Sequence, residues 1–259
     1  MCAVALRRPV RTLSVASLPG ARKGPFPGYV ESCDPTLREH PPKGDWLYEI
    51  KADGFRIEAL IDRGAVSLHS RTKVDWTERS SGIAEALKEL PVRQAIIDGE
   101  AIVLGKTGLP DFQALFRKNS ISDAGRLQYW AFDLLYLNGF DLRNAPYVER
   151  KRLLQDLLVD TPENIVYVEG LGGDGEQIFK HACRMGLEGV VAKRPDAPYR
   201  SGRQESWIKL KCVKSDTFPI IAFVEKLGAK PRRIASLYIG RHDGNQLRFA
   251  KHVVATPTR

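Results

Sequence analysis

Hydrophobic and polar residues alternate along several short segments of this chain, which predicts a protein built mainly of β-strands. In residues 46–61, Tyr48 and Ile50 alternate with Glu49 and Lys51, and the alternation resumes after a short break. This pattern predicts two strands joined by a tight turn. Further strands are predicted over residues 66–71, 95–104, 128–137, 187–193 and 206–213.

Helical patterns are fewer and lie between these strands. Three helices are predicted, the first closed by Pro91 and the third by Gly186. They cover residues 80–90, 148–159 and 175–185, and a short helix is expected over 111–118. From Phe218 the character changes to short strands joined by loops rich in glycine and charge. Strands over 219–225, 234–240 and 246–250 predict a small all-β module.

The pattern divides the chain into three segments. Residues 1–28 are predicted to be a flexible basic N-terminal segment, because they contain five basic residues, no acidic residue and several Gly and Pro. A transit peptide and a loose basic arm on DNA are both compatible with this composition. Residues 29–214 form the predicted main domain, and residues 215–259 the all-β module.

Composition narrows the class of partner. The chain has 259 residues, is 43% hydrophobic and carries a net charge of +9. This hydrophobic content is sufficient for a folded core, and the basic excess favours polyanions such as nucleic acid, although a basic protein without such a partner is an alternative. No apolar run reaches eighteen residues, so no membrane span is expected.

The cysteines show no metal-binding pattern. Cys2, Cys33, Cys183 and Cys212 are scattered and form no CxxC pair or Cys/His cluster. Cysteines in this arrangement are more often small core residues or bystanders. The sequence therefore predicts a reducing, cytosolic compartment and no zinc site.

Charged residues recur inside strands that otherwise have buried patterns. A buried charge is costly unless it is paired or serves a ligand. Several such residues of both signs predict strands that converge on a charged cleft, suited to a nucleotide triphosphate with a divalent cation. They are Lys51, Glu100, Asp133, Glu188, Lys209 and Lys211.

Lys51 is the predicted nucleophile of this cleft. A lysine attacks only when its amine is neutral, and cationic neighbours such as Lys209, Lys211 and Arg56 would favour that form. Gly54 is expected to allow the tight turn just after the lysine. No Walker A motif or Gly-rich dinucleotide fingerprint is present, so phosphate binding by those loops is not expected.

Six short motifs follow one another along the chain. They are Lys51 to Arg56 (KADGFR), Ser70-Arg71-Thr72, Asp98-Gly99-Glu100, Tyr129 to Asp133 (YWAFD), Glu188 to Arg194 (EGVVAKR) and Trp207 to Lys211 (WIKLK). Their order and spacing resemble ATP-dependent DNA ligases, in which the first is the KxDGxR nucleotidyltransferase motif. The phrases PDFQAL (110–115), FDLLYL (132–137) and YRSGR (199–203) resemble in particular the ligase domain of bacterial non-homologous end-joining ligases, and the similarity extends from about Val30 to Ala250.

The resemblance implies an α+β fold, in which a nucleotidyltransferase domain (ATP-grasp-like) of antiparallel sheets flanked by helices precedes a partial all-β OB-fold. It also implies that Lys51 attacks ATP to form lysyl-AMP, that AMP passes to a DNA 5′-phosphate, and that the adjacent 3′-hydroxyl seals the strand. Lys209 and Lys211 would act with Lys51 in catalysis by binding the α-phosphate.

The resemblance assigns the remaining site residues to parts of the nucleotide and its metal ion. Glu49 and Ile50 would lie against adenine, and the ring of Phe132 would stack on the base. The other implied nucleotide-binding residues are Arg56 and Glu100 near the ribose, Arg71 on nucleotide or on the DNA 5′-phosphate, and Lys193 in the same cleft. Mg²⁺ or Mn²⁺ is expected on Glu100 and Glu188.

The implied partner is nicked or broken double-stranded DNA, bound through its backbone and without sequence preference. End-joining proteins are candidate partners, and a monomer in the bacterial cytoplasm is expected. An RNA ligase or capping-type nucleotidyltransferase, and a non-catalytic DNA-binding remnant, are the alternatives.

The C-terminal part departs from the family pattern. About forty residues follow Lys211, and the family's final basic motif, which orients the pyrophosphate, has no counterpart. We therefore expect an incomplete OB module and a C-terminally truncated sequence, with slower reaction of Lys51 with ATP. Sealing of a pre-adenylated DNA end is expected to be affected less.

Overall fold

The structure, a computed structural model, describes residues 15–106, 108–116, 127–212, 218–244 and 246–254. Within these ranges the helices are α1 (Ser81–Lys88), α2 (Tyr147–Leu157) and α3 (Gly175–Arg184), with 3-10 helices at Val15–Ser17 and Phe112–Phe116. The strands are β1 (Arg22–Lys23), β2 (Cys33–Arg38), β3 (Leu47–Lys51), β4 (Phe55–Asp62), β5 (Ala65–Ser70), β6 (Gln94–Val103), β7 (Leu127–Leu137), β8 (Phe140–Asp141), β9 (Ile165–Tyr167), β10 (Gly189–Lys193), β11 (Gly202–Lys211), β12 (Ile220–Glu225), β13 (Ile234–Asp243) and β14 (Gln246–Val254).

The chain divides into two compact units, Met1–Cys212 and Val213–Arg259. The first unit contains two sheets. The larger has the order β1-β8-β7-β6-β4-β5, with β9 also paired to β7, and the smaller has the order β2-β11-β10-β3. The expectation of antiparallel sheets needs correction at two places, because β2 runs parallel to β11 and β9 runs parallel to β7.

Three apolar layers hold the first unit together. In the first, Ile83 and Leu87 of α1 and Leu154 of α2 pack on the large sheet. In the second, between the two sheets, Ile96 and Trp207 belong to one buried cluster. The third layer packs α3 on the outer face of the small sheet, and it includes Ala182, Val190, Ile208 and Leu210. The predicted arrangement of sheets flanked by helices is therefore observed, and apolar burial of this kind is the main stabilising term.

The predicted strands and helices all have counterparts among the described residues, with shifted ends. The short helix expected over 111–118 is a 3-10 helix at Phe112–Phe116, and residues 117–118 lie outside the described residues. Asp98-Gly99-Glu100 lies within β6, and the pairing of β6 with β7 is shifted by a bulge between Asp98 and Gly99. The sequence pattern did not reveal β2, because Cys33–Arg38 shows no regular alternation.

The described part of the predicted flexible N-terminal segment is packed on the first unit. Arg22 and Lys23 pair with β8, and Val15 and Leu18 lie against the main core. Part of residues 15–28 is therefore packed in the fold, whereas the flexibility of the segment stays a prediction, and residues 1–14 lie outside the described residues.

The second unit contains one antiparallel sheet of order β12-β13-β14. These strands match the three predicted there, and β13 and β14 extend further than expected. Strands β12 and β14 are exposed along their whole length, so Phe223 and Phe249 face solvent within the residues described.

Two cysteines contradict their prediction as unpaired bystanders. Cys183, at the end of α3, and Cys212, just after β11, form a disulfide. Cys33 is free and buried. Because two of the four cysteines are oxidised, scattered cysteines no longer argue for a reducing compartment. None of the described helices combines the length and the apolar character needed to cross a membrane.

Candidate active site

The register of the small sheet brings four predicted site residues together. Gly189 of β10 lies between Lys51 of β3 and Lys211 of β11. Val191, two residues further along β10, lies in the same way between Glu49 and Lys209. Because side chains two positions apart share one face of a strand, this register lines up the carboxylate and the three lysines.

Gly189 is required by this close packing. Its φ is +153°, and a Cβ atom at this position would lie 1.9 Å from the carbonyl oxygen of Leu210. Only glycine tolerates both the conformation and the contact. The glycine therefore allows β10 and β11 to approach beside Lys51.

Lys51 does not project freely into solvent. Its ammonium donates a short hydrogen bond to Oε2 of Glu188, and Oε1 of the same carboxylate lies 3.1 Å from Nζ of Lys211. The side chains of Lys51 and Glu188 are each 21% exposed, whereas that of Lys211 is 52% exposed. One carboxylate thus holds the predicted nucleophile and a predicted phosphate-binding lysine side by side.

A cavity of about 200 Å³ opens next to Lys51. Eight of the predicted site residues line this cavity: Glu49, Ile50, Lys51, Arg56, Glu100, Phe132, Lys193 and Lys209. Its other lining residues are Pro35, Ala52, Trp130, Val168, Val191 and Trp207. A mostly apolar lining with a few convergent charged groups is typical of a small-molecule binding site.

Aromatic rings and a buried lysine form one end of this cavity. The rings of Phe132 and Trp207 meet edge to face, 6.2 Å apart. Nζ of Lys193 lies 3.8 Å from the centre of the Trp207 ring and 4.5 Å from that of Phe132. Burial lowers the pKa of Lys193, although Glu49 opposes this effect. Phe132 was predicted from sequence to stack on the base, whereas no role was predicted for Trp207.

Glu49 is a buried hub and not a free group against a ligand. Its carboxylate lies 2.5 Å from Nζ of Lys193 and 2.8 Å from Nζ of Lys151, and it accepts a hydrogen bond from Tyr147. Lys151 and Tyr147 belong to α2, outside every motif, and neither was predicted as a site residue. The only sequence signal for Lys151 is a polar residue on the buried face of a predicted helix, and Tyr147 lies just before that predicted helix.

Arg56 is held in position by an ion pair with the buried carboxylate of Asp98. Its guanidinium donates to both carboxylate oxygens of Asp98, at 2.9 and 2.5 Å, and Asp98 also accepts from the hydroxyl of Tyr199 at 2.7 Å. Burial alone would lower the pKa of Arg56, but Asp98 outweighs it and raises the pKa. The charged Arg56 also lies over the ring of Phe132, 5.2 Å from its centre.

Glu100 and Lys209 complete the charged wall. Burial raises the pKa of Glu100 to about 7, and the nearby charges of Arg56 and Lys51 oppose this shift. Burial, and then the neighbouring Lys211 and Lys51, lower the pKa of Lys209. Each shift favours the neutral form of the side chain relative to the same group free in water.

Gly54 is needed for a different reason from the one predicted. No positive φ is found at this residue, and a Cβ atom would lie 2.5 Å from the carbonyl oxygen of Ala101 and 2.8 Å from Cγ of Glu100. Gly54 therefore permits close approach to β6 rather than an unusual turn.

Four predicted cleft residues are not among those that line the cavity. Glu188 and Lys211 adjoin it through the ion pairs that link them to Lys51, whereas Arg71 and Asp133 lie apart from it. Arg71 is exposed, 3.4 Å from Asp34, and does not line the cavity. Asp133 is fully buried and paired through two hydrogen bonds with Arg150, which is also fully buried. The charge of Asp133 thus has a structural partner and does not belong to the cleft.

The two carboxylates predicted to hold a divalent cation lie near enough to influence each other. The negative charge of Glu188 helps to raise the pKa of Glu100. Among the described residues, no cluster of three or more metal-type side chains occurs. Two carboxylates without a third ligand fit Mg²⁺, which usually binds one or two carboxylates together with substrate phosphates and water.

Comparison with known proteins shows which family this chain is similar to. The family described as ATP dependent DNA ligase domain matches residues 29–211. The multifunctional non-homologous end joining protein LigD of Pseudomonas aeruginosa is 37% identical over 235 residues, covering 89% of this chain and 28% of that protein. The chain therefore spans less than a third of the length of this relative.

Solved structures give the same result. The crystal structure of the ligase domain from M. tuberculosis LigD is 32% identical, with a TM-score of 0.61 over 88% of this chain and 73% of that one. A mycobacterial DNA ligase D complexed with ATP and MES is 31% identical, with a TM-score of 0.59, over 85% of this chain and 72% of that one.

Proposed function

We propose that this chain, which belongs to the ATP-dependent DNA ligase domain family, transfers AMP from ATP through Lys51 to the 5′-phosphate of a DNA break and seals that break. The observation that carries the proposal is the position of Lys51, which borders the cavity while Glu188 binds both Lys51 and Lys211. A nucleophile, phosphate-binding cations and a base-sized cleft thus lie within one site.

In the first step, the neutral amine of Lys51 attacks the α-phosphorus of ATP. A nitrogen–phosphorus bond forms, the bond from the α-phosphorus to pyrophosphate breaks, and the amine loses a proton. Lys209 pairs with Val191 of β10 and Lys211 with Gly189. The two lysines would stabilise the negative charge that develops on the phosphate.

An oxygen of the DNA 5′-phosphate then attacks the phosphorus of lysyl-AMP, the nitrogen–phosphorus bond breaks, and Lys51 leaves as an amine that takes up a proton. The 3′-hydroxyl attacks the 5′-phosphorus of the adenylated DNA end and loses its proton, and AMP leaves.

The cavity supplies a place for the nucleoside. Phe132 offers an aromatic face for the base, and Arg56, fixed by Asp98, is assigned to the ribose with Glu100. Glu49 is assigned to support the base end of the cleft through its contacts with Lys151 and Lys193. Arg71, outside the cavity, is assigned to the DNA 5′-phosphate.

Glu100 and Glu188 would hold Mg²⁺ or Mn²⁺. When bound, such a cation would offset the negative charge of the phosphates that face the nucleophile.

The substrate is proposed to be nicked or broken double-stranded DNA, supported by the net charge of +9 and by the end-joining relatives. End-joining proteins are proposed as partners, and the cytoplasm as the location of a monomeric enzyme. The second unit, with its three-stranded sheet, is proposed to be part of an OB-fold.

The test is covalent labelling. The protein is incubated with α-labelled ATP and Mg²⁺, and we expect an acid-labile adduct that Lys51→Ala abolishes. Lys88→Ala is the matched control, because Lys88 is exposed on α1 and paired only with Glu85 among its described ion pairs. GTP in place of ATP tests for a capping-type enzyme. No adduct, together with no sealing of a pre-adenylated nick, would contradict the proposal and indicate a DNA-binding remnant.

A further inference from the structure

Several residues of the candidate active site lie between Cys183 and Cys212 in the sequence, and these two cysteines form a disulfide. The chain between the two cysteines contains Glu188, Lys193, Lys209 and Lys211, and the two cysteines are 29 positions apart. Cys212 directly follows Lys211 at the end of β11. The bond therefore ties the strand that carries two predicted phosphate-binding lysines to the end of α3.

Two noncovalent contacts act at the same place. The backbone N–H of Cys212 donates to the carbonyl oxygen of Glu188 at 2.9 Å, and Lys211 contacts the Glu188 carboxylate at 3.1 Å. That carboxylate also accepts a hydrogen bond from Lys51. The disulfide adds a covalent link at the end of β11, where Cys212 and Lys211 contact Glu188. Through the carboxylate of Glu188, these contacts connect the disulfide to Lys51.

The disulfide is accessible to a small reductant. Both Cys183 and Cys212 are half-buried. Cys183 also lines a second cavity, of about 730 Å³, whose lining includes the exposed residues His181, Arg184 and Met185. Arg184 and Lys211 are the chain neighbours of the two cysteines, and cationic neighbours favour the thiolate that leaves during disulfide exchange.

We propose that Cys183–Cys212 is a reversible thiol–disulfide modification site whose oxidised form holds Glu188 and Lys211 in position for the adenylation of Lys51. The inference rests on the proposed function. It also uses the proposed cytoplasmic location, where protein disulfides are usually transient and catalytic or redox-sensing.

The modifying reagent is a dithiol reductant. One thiolate of the reductant attacks a sulfur of the disulfide, and the other cysteine leaves as a thiolate. The second thiol of the reductant then displaces the first cysteine from the mixed disulfide. Two electrons and two protons pass to Cys183 and Cys212, and the reductant becomes a disulfide. Oxidation by a small disulfide reverses the sequence.

Reduction is expected to slow adenylation without abolishing it, because the hydrogen bond from Cys212 and the ion pair of Lys211 remain. A loss of about three- to ten-fold in the rate is expected, since small displacements of positioned groups weaken catalysis. The amide of Cys212, which bonds to Glu188, is expected to exchange hydrogen several-fold faster after reduction.

The experiment compares the whole chain in two states, oxidised and treated with dithiothreitol. Thiol alkylation and mass spectrometry assign the state of each cysteine, and Lys51 adduct formation and hydrogen exchange over 186–212 are measured in both. Cys183→Ser removes the disulfide without changing β11. We expect this variant to match the reduced wild-type protein in both measurements and to be unaffected by dithiothreitol. Cys2→Ser, outside the disulfide, should retain the full response.

Three results would overturn the inference. These are an unbonded Cys183 and Cys212 in the oxidised protein, an adduct rate and an exchange rate that do not change after verified reduction, and a Cys183→Ser variant that still responds to dithiothreitol. If neither state forms an adduct, the proposed adenylation fails. Hydrogen exchange then decides separately whether the disulfide holds the end of β11.

Discussion

Lys51 and Glu188, 137 positions apart in the sequence, are joined by a direct ion pair beside the cavity that Lys51 lines. Glu188 immediately precedes Gly189, the residue that pairs with Lys51 in the sheet. The same carboxylate contacts Lys211. Glu188 therefore organises the cationic side of the site before any phosphate is bound.

Glu188→Gln should reduce adenylation of Lys51 about 100-fold, because a neutral amide removes a preorganised charge from the site. The free energy of unfolding should fall by about 1–3 kcal/mol, since the largely buried ammonium of Lys51 loses its charged partner. Adduct formation with labelled ATP measures the first effect, and chemical denaturation the second. Glu205→Gln, which changes an exposed carboxylate paired with Arg38, is the control. A rate within two-fold of wild type would refute the role of Glu188.

Gly189→Ala should destabilise the first unit by about 2–4 kcal/mol, because the residue would adopt a strained φ and its Cβ would overlap the backbone of Leu210. The matched control is Gly82→Ala in α1, where nothing lies within 4 Å of the added Cβ. That substitution should stabilise by about 0.5–1 kcal/mol through helix propensity. Denaturant unfolding measures both, and equal effects would refute the packing argument.

Arg150→Met should cost about 3–5 kcal/mol of stability, because it leaves the buried carboxylate of Asp133 without its partner. Arg152→Met, on the same helix but in a partly exposed pair with Glu149, should cost less than about 1 kcal/mol. Adding Asp133→Leu to Arg150→Met should recover part of the loss. Folded Arg150→Met protein should still form the adduct, because this pair lies outside the cleft.

Glu58 should make stability depend on pH. Burial raises the pKa of this carboxyl from 4.5 to about 8, and its side chain accepts a hydrogen bond from the backbone N–H of Val30. The folded state therefore holds a proton that the unfolded state has lost. The contribution of Glu58 is fully present below pH 4.5 and is lost as pH rises through about 8.

Glu58→Gln tests this sign. The amide oxygen can still accept from Val30 but carries no charge, so the variant should gain about 1–3 kcal/mol over wild type at pH 9 and little at pH 4. Unfolding free energies at the two pH values measure the difference. A variant that loses as much stability as wild type between pH 4 and pH 9 would contradict the prediction.

The order of the strands and helices followed from local patterns. Alternation at period two depends on the side chains of one segment, and this is why β3, β4 and β7 were predicted with small errors in their ends. Lys51 was also found from local sequence, because the lysine and its neighbours form a continuous motif. β2 was missed because its residues, Cys33–Arg38, do not alternate.

Only the tertiary structure decided which charges act together. Asp133 has the same local pattern as Glu100, yet it pairs with Arg150 while Glu100 faces Lys51. Glu49 is bound by Tyr147, 98 positions away, and the cysteines form a bond that their spacing did not indicate. Strand periodicity states which face a side chain occupies, but the packing of distant segments determines its partner. The sequence by itself thus determined the order of the elements and the choice of Lys51 as the predicted nucleophile, and the fold determined which side chains surround Lys51.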